Sequence, residues 1–233
     1  MKKKRWEGSR LGFTKGEAAL WGLSVLLIVL SFSIFDGKGY LTLAASLIGV
    51  TSLIFNARGN PIGQLLMVVF SILYGWISLT FTYYGEMITY LGMTAPMAVF
   101  AFVSWVKNPY KGNRAQVKVN RLKNWEAALL PALTGAVTWG FYYILAAFHT
   151  ANLGLSTLSV ATSFLAAYLT FRRSRFFALA YGANDMVLVA LWILAAAEDR
   201  PYLSVAICFG LFFLSDLYGF ISWSRMQKRQ RTD

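Results

Sequence analysis

Apolar residues fall in eight runs along this chain, roughly 18–35, 41–55, 63–83, 87–106, 127–148, 153–171, 176–197 and 202–224, separated by short polar segments. Most reach the ~20 residues that a helix needs to cross a bilayer. The second is short, so it crosses with little tilt or is extended at its ends. Runs of this kind are predicted as helices, since open strands cannot satisfy their backbone in lipid. One run breaks the pattern. The stretch 176–197 carries Tyr181, Asn184 and Asp185 in its middle, with Trp192 two turns on. On a helix Tyr181, Asp185 and Trp192 share a face, with Asn184 beside it. A carboxylate at the centre of a membrane helix costs roughly 2.5–3.5 kcal/mol. Asp185 is therefore either a structural residue bonded to a neighbouring helix or part of a polar site in a solute pathway, and the cost favours the second.

Composition sharpens the class. Only 14% of residues are charged and 57% are hydrophobic, against about 25% charged in a soluble domain. The net charge of +12 does not mark a nucleic-acid partner, because the charges sit in short segments between apolar runs. Of the 22 basic residues, all but Lys38 and Arg200 fall in alternate segments, namely the N-terminus, Arg58, 107–123, 172–175 and 225–231. The other set of segments holds Asp36, Glu86, Glu198 and Asp199. The positive-inside rule then places both termini of a multi-pass membrane protein in the cytoplasm. The basic start lacks the short apolar core and cleavage site of a signal peptide, and reads as a retained tail.

An internal repeat emerges when residues 69–105 are shifted by 118 positions. Leu73 then meets Leu191, Tyr84 meets Tyr202, and Phe102-Val-Ser-Trp105 meets Phe220-Ile-Ser-Trp223; Tyr74 meets Trp192. Three helices and one linker make an even number of crossings, so the second unit enters the membrane in the same orientation as the first. The expected architecture is an all-α membrane protein with a parallel repeat of two three-helix bundles joined by a linker helix (3+1+3), plus one extra N-terminal helix. Its expected parts are a tail 1–17, an extra helix 18–35, a first bundle 40–106, a basic loop 107–126, a linker helix 127–148, a second bundle 152–224 and a tail 225–233. Such folds carry a solute site near the midplane between the halves and alternate its access by rocking. Pro96, near the middle of the fourth run, is a candidate kink.

The candidate site residues follow. Asn60 and Pro61 suit the cap and first turn of the third helix, while Gln64 is an amide just inside the membrane. Tyr74 and Trp76 bracket the midplane of that helix, and Tyr74 with Trp192 is placed to line a cavity from both sides. Asp216 either pairs with a base or lines an inner vestibule. Trp105 and Trp223, near helix ends, read as interface anchors. Phosphate-loop, zinc-protease and nucleophile-elbow motifs are absent, and the single histidine, His149, sits at a helix end. Cys208 is alone, so no internal disulfide forms. No cofactor, no metal and no enzymatic activity are expected.

Several of these residues together resemble the PnuC family of nicotinamide riboside transporters over most of residues 40–225. They are Asn60-x-x-Gly63-Gln64 opening a helix, Tyr84-Gly85-Glu86, Trp105, the basic turn Arg172-Arg173, Asn184-Asp185 in mid-helix, Trp192, and Tyr202 opening the last helix. The chain departs from the family at Arg175-Phe176-Phe177, where an acidic residue and tryptophans are frequent. The resemblance implies uptake of nicotinamide riboside across the bacterial inner membrane by facilitated diffusion, with trapping by a separate cytoplasmic kinase. Its expected contacts are Asn60, Gln64, Tyr74, Tyr84, Tyr181, Asn184, Asp185 and Trp192. The partners expected are this small molecule and the lipid bilayer, with homo-oligomerisation left open. A proton-coupled or passive carrier of another vitamin, such as thiamine or riboflavin, remains an alternative, as does a lipid-modifying enzyme.

Overall fold

The computed structural model describes residues 13–80 and 83–232. It holds eight helical spans long and apolar enough to cross a membrane. They are α1 (Lys15–Ser31, prolonged by a π-helical turn Phe32–Asp36), α2 (Tyr40–Ala57), α3 (Ile62–Thr80), α4 (Tyr84–Thr89) running through a π-helical turn Tyr90–Thr94 into α5 (Ala95–Val106), α6 (Asn124–Ala147), α7 (Leu153–Phe171), α8 (Phe177–Ala196) and α9 (Tyr202–Thr232). Thr14 and Glu17 close a capping box at the start of α1. Residues 1–12, most of the expected N-terminal tail, lie outside the described residues.

Several polar side chains inside the spans bond to their own helices. Ser71, Thr89, Thr170 and Ser215 each donate to the carbonyl four residues back, at 2.8–3.0 Å. This satisfies a hydroxyl that lipid cannot. Pro96 does sit at an irregularity: the π turn ends just before it, and the turn absorbs the bond that proline cannot make.

Two expectations need correction. The basic segment is not all loop: β1 (Pro109–Tyr110) and β2 (Asn113–Val117) form an antiparallel hairpin, and α6 begins already at Asn124. Lys111 (φ 49°) and Gly112 (φ 79°) supply the two left-handed residues of its tight turn. The expected tail 225–233 is instead helical as far as Thr232. Gln230 explains why: its side chain behaves like a peptide group, accepting from Val119 N (2.8 Å) and donating to Val117 O (3.0 Å) beside β2.

The hairpin also ties into both interhelical turns nearby. Val117 N donates to Gly59 O (2.9 Å), and Asn120 N to Arg173 O (3.0 Å). Those two turns, α2–α3 and α7–α8, are built alike. Asn60 N donates to Phe55 O (3.0 Å) and Ser174 N to Leu169 O (2.9 Å). Gly59 (φ 69°) and Arg173 (φ 56°) occupy the same left-handed position. For Arg173 that conformation is held by its guanidinium, which donates to Ser104 Oγ at 2.8 Å. Burial, and Arg172 alongside, push the Arg173 guanidinium below its ordinary pKa.

Trp105 and Trp223 are not interface anchors. Both are completely buried, with ring centroids 5.3 Å apart. Trp105 Nε1 donates to Thr170 O (2.9 Å), near the end of α7, and Trp223 Nε1 to Asn56 O (2.8 Å), near the end of α2. Each carbonyl lies two residues before its helix's cap, Arg172 and Arg58. The two tryptophans thus exchange hydrogen bonds across the middle of the bundle.

Candidate solute site

Four helices converge below the far end of the bundle, opposite the hairpin. α3 brings Tyr74, α8 brings Asn184, Asp185 and Trp192, the π turn brings Tyr90, and α9 brings Phe209, Phe212 and Asp216. Gly49 permits this packing, because a Cβ there would overlap the Phe212 ring and press on Phe70. Tyr74 and Trp192 are buried and meet edge-to-face with centroids 6.1 Å apart. Trp192 is therefore not lipid-facing, whereas Trp76, 59% exposed, is. Tyr74 also stacks near Phe70 (5.5 Å) and Tyr90 (4.4 Å). The meeting does not rest on matched repeat positions. In the register set by the two like turns, Tyr74 pairs with Leu188, one helical turn before Trp192.

Beside these rings lies a cavity of about 30 Å³ lined by Tyr90, Tyr181, Asn184, Asp185 and Asp216. That is room for about two waters. Asn184 Oδ1 accepts from three hydroxyls of α7: Thr162 (2.8 Å), Ser163 (2.9 Å) and Ser159 (3.3 Å). Its Nδ2 has no protein partner among the described residues. The amide is thus fixed from behind with its donor side free. Asp185 and Asp216 are both buried and their carboxyl groups lie next to each other. Among the described residues Asp216 pairs with no base, and no lysine or arginine lines the cavity.

Above the cavity, Tyr83, Trp192 and Tyr202 form an aromatic cap, with centroids 5.2–5.8 Å apart. Burial first, then the neighbouring Tyr202, raises the Tyr83 phenol above its ordinary pKa, so it stays neutral. Polar atoms under this cap are left without partners among the described residues: Tyr74 Oη, Trp192 Nε1 and Glu86 Oε2. Trp192 Nε1 points toward Tyr74 without reaching hydrogen-bond geometry. Buried orphans of this density mark a place that a ligand or water completes.

The remaining sequence candidates lie elsewhere. Gln64 donates to Asn56 Oδ1 (2.8 Å), next to Gly63, where a Cβ would overlap that amide. Asn60 caps α3 by accepting from Ile62 N (3.0 Å). Both are at the hairpin end, away from the cavity. Tyr84 is exposed at the far end and packs on Phe148, centroids 6.1 Å apart. Glu86, read as an outer charge, is buried in α4. The α7 hydroxyls and Tyr90 drew no attention in the sequence. Three hydroxyls at 159, 162 and 163 on one helix face were the available signal.

The model of the nicotinamide mononucleotide transporter family matches residues 39–225. The chain belongs to this family. Two curated relatives, both nicotinamide riboside transporters of the PnuC type, are similar to the transporter. That of Neisseria mucosa is 23% identical, covering 96% of this chain and 87% of its own. That of Haemophilus influenzae is 20% identical, covering 82% and 81%. The crystal structure of a vitamin B3 transporter, PnuC, superposes on the transporter with a TM-score of 0.81 over 94% of each chain, at 23% identity, and so shares its fold. The protein is a multi-pass membrane transporter and not an enzyme.

Proposed function

We propose that this protein carries nicotinamide riboside across the bacterial inner membrane, by facilitated diffusion and alternating access, with trapping by a separate kinase. The observation that carries this reading is the cavity's chemistry: aromatic walls, one free amide donor, two adjacent carboxyl groups and no base. Nicotinamide riboside offers a pyridinium cation, a carboxamide and a ribose diol. A cation over a tryptophan or tyrosine face gains about 0.5–2 kcal/mol. The Asn184 donor suits the carboxamide oxygen, and the carboxyl pair suits the cation's charge. Tyr74 and Trp192 would part to admit the ring, with Tyr181 and Asp185 on the adjoining wall. The cavity is too small for the solute as it stands, so the described state is closed. The relatives' names point to the same substrate.

The 3+1+3 arrangement belongs to this proposal. The like turns and the exchanged tryptophan bonds are what two units related by a pseudo-two-fold axis along the membrane normal would produce. The charge bias would put the hairpin end and both termini in the cytoplasm. Gln64, Asn60 and Tyr84 would then serve the ends of the pathway and not its centre. A second reading, proton-coupled transport, is favoured by the adjacency of Asp185 and Asp216.

Uptake of labelled nicotinamide riboside into protein-loaded liposomes tests both, with thiamine and riboflavin as competitors. Equilibration to the outside concentration is expected. No uptake of nicotinamide riboside, with uptake of another vitamin, would overturn the substrate. Accumulation driven by a pH gradient alone would overturn passive transport.

A further inference from the structure

A second cavity, far larger than the solute site, lies apart from it. It is a groove of about 1080 Å³ between α6 and α7, remote from Tyr74 and Trp192. One face of α6, from Ala127 through Pro131, Gly135 and Trp139 to Tyr142, forms one wall. These positions recur at helical spacing and span ~22 Å at 1.5 Å per residue. α7 supplies the other wall with Thr157, Ala161, Leu165 and Leu169, four residues apart. Apart from a few hydroxyls the walls are apolar, and α6 is the least buried of the eight spans. The groove therefore opens sideways into lipid.

Its hairpin end is different in kind. Arg121 and Arg175 line it there, with Asn120 and Gln227. Nearby basic residues are already occupied: Arg172 pairs with Glu126, and Arg173 bonds Ser104. Arg175 is instead spread over the rings of Phe176 (4.8 Å) and Phe220 (5.7 Å), which fixes its guanidinium without neutralising it. Neither Arg121 nor Arg175 has a carboxylate partner among the described residues. An apolar trough longer than one ~15 Å leaflet, half of the hydrocarbon core, ending at two unneutralised guanidinium groups matches a molecule with an acyl chain and an anionic head. We propose that this groove is a binding site for an anionic phospholipid, headgroup on Arg121 and Arg175 and chain along α6. Basic pockets between membrane helices on the cytoplasmic side bind such headgroups, and the orientation proposed above puts this end in that leaflet. The proposal does not depend on which solute is carried.

Brominated phosphatidylglycerol and brominated phosphatidylcholine of identical chains, titrated into the detergent-solubilised protein, decide it. Trp139, 66% exposed within the groove, reports bromine contact. Its share of the signal is the difference between wild type and Trp139→Phe. Phosphatidylglycerol is expected to quench that share at about thirtyfold lower concentration than phosphatidylcholine, from two basic side chains. Arg121→Gln with Arg175→Gln should abolish the preference. Gly135→Trp fills the groove at a position where a Cβ meets nothing within 4 Å, and should block quenching by both lipids. Equal quenching by the two lipids in the wild type overturns the proposal, whatever the variants do. So does a preference that survives the double substitution. Native mass spectrometry showing an oligomer that Gly135→Trp disperses, with no lipid retained, would overturn it in favour of a second copy of the chain.

Discussion

The two ends of this bundle are finished differently. At the hairpin end side chains close specific bonds between elements, although Arg172 Nε, Arg173 Nε and Ser224 Oγ find no partner there. Trp105 and Trp223 each reach a helix-terminal carbonyl, Gln230 completes the hairpin, and the hairpin in turn holds both interhelical turns. At the far end the contacts are rings against rings, and Tyr74 Oη, Trp192 Nε1 and Glu86 Oε2 are left without partners. Aromatic faces can separate without stranding a polar atom, whereas exchanged hydrogen bonds cannot. In the proposed transport cycle the hairpin end would stay shut in the described state, and the far end would be completed by the solute that enters.

The largest test of that contrast is Trp223→Ala or Trp105→Ala. Each should lower stability by about 3–5 kcal/mol, read as an earlier thermal transition in detergent. The double substitution should cost less than the sum, because the rings touch. A Trp223→Ala protein that melts like wild type would end the argument for a fixed hairpin end. Next comes Trp192→Ala, expected to weaken nicotinamide riboside binding by about 1–3 kcal/mol in calorimetric titration. The phenylalanine variants sharpen the contrast. Trp192→Phe should keep its melting temperature, as its N–H bonds nothing, while Trp223→Phe should lose about 0.5–1.5 kcal/mol with its bond to the Asn56 carbonyl, which keeps its second donor, Gly59 N (2.9 Å). Asn184→Leu should cost about 1 kcal/mol of affinity with insertion unharmed. Smallest is the triple change Lys111→Gln, Arg114→Gln and Lys118→Gln, expected to leave affinity within about 0.5 kcal/mol of wild type. A large loss in that protein would bring the hairpin into the site.

The eight spans were legible because lipid forces each of them to be apolar and helical. Asp185 was legible for the opposite reason, as a residue too costly to keep without purpose. The contact of Tyr74 with Trp192 could be anticipated, though through a repeat pairing that the turns place one helical turn away. Other features depended on partners distant in sequence. Nothing in the immediate neighbourhood of Trp105 says that its N–H will meet Thr170, and a tryptophan at a helix end usually sits at the interface. Asn184 stands out as polar, but that α7 occupies its oxygen and leaves its nitrogen free depends on how two helices are rotated. The hairpin was hidden by its turn, where Lys111 occupies a left-handed position more often taken by asparagine or aspartate.

The π turn Tyr90–Thr94 has a consequence for the solute itself. A π turn holds one residue more than an α turn, and the stretch of α9 that the proposed repeat pairs with it is uninterrupted. A ligand lying on a perfect two-fold axis would have two equivalent poses, half a rotation apart, and would flip between them freely. Here the inserted residue sets Tyr90 against one wall of the cavity, while both carboxyl groups stand on α8 and α9. Under the proposed site and repeat that degeneracy would be gone: a molecule with a charged ring at one end and a sugar at the other would have a single way round to sit.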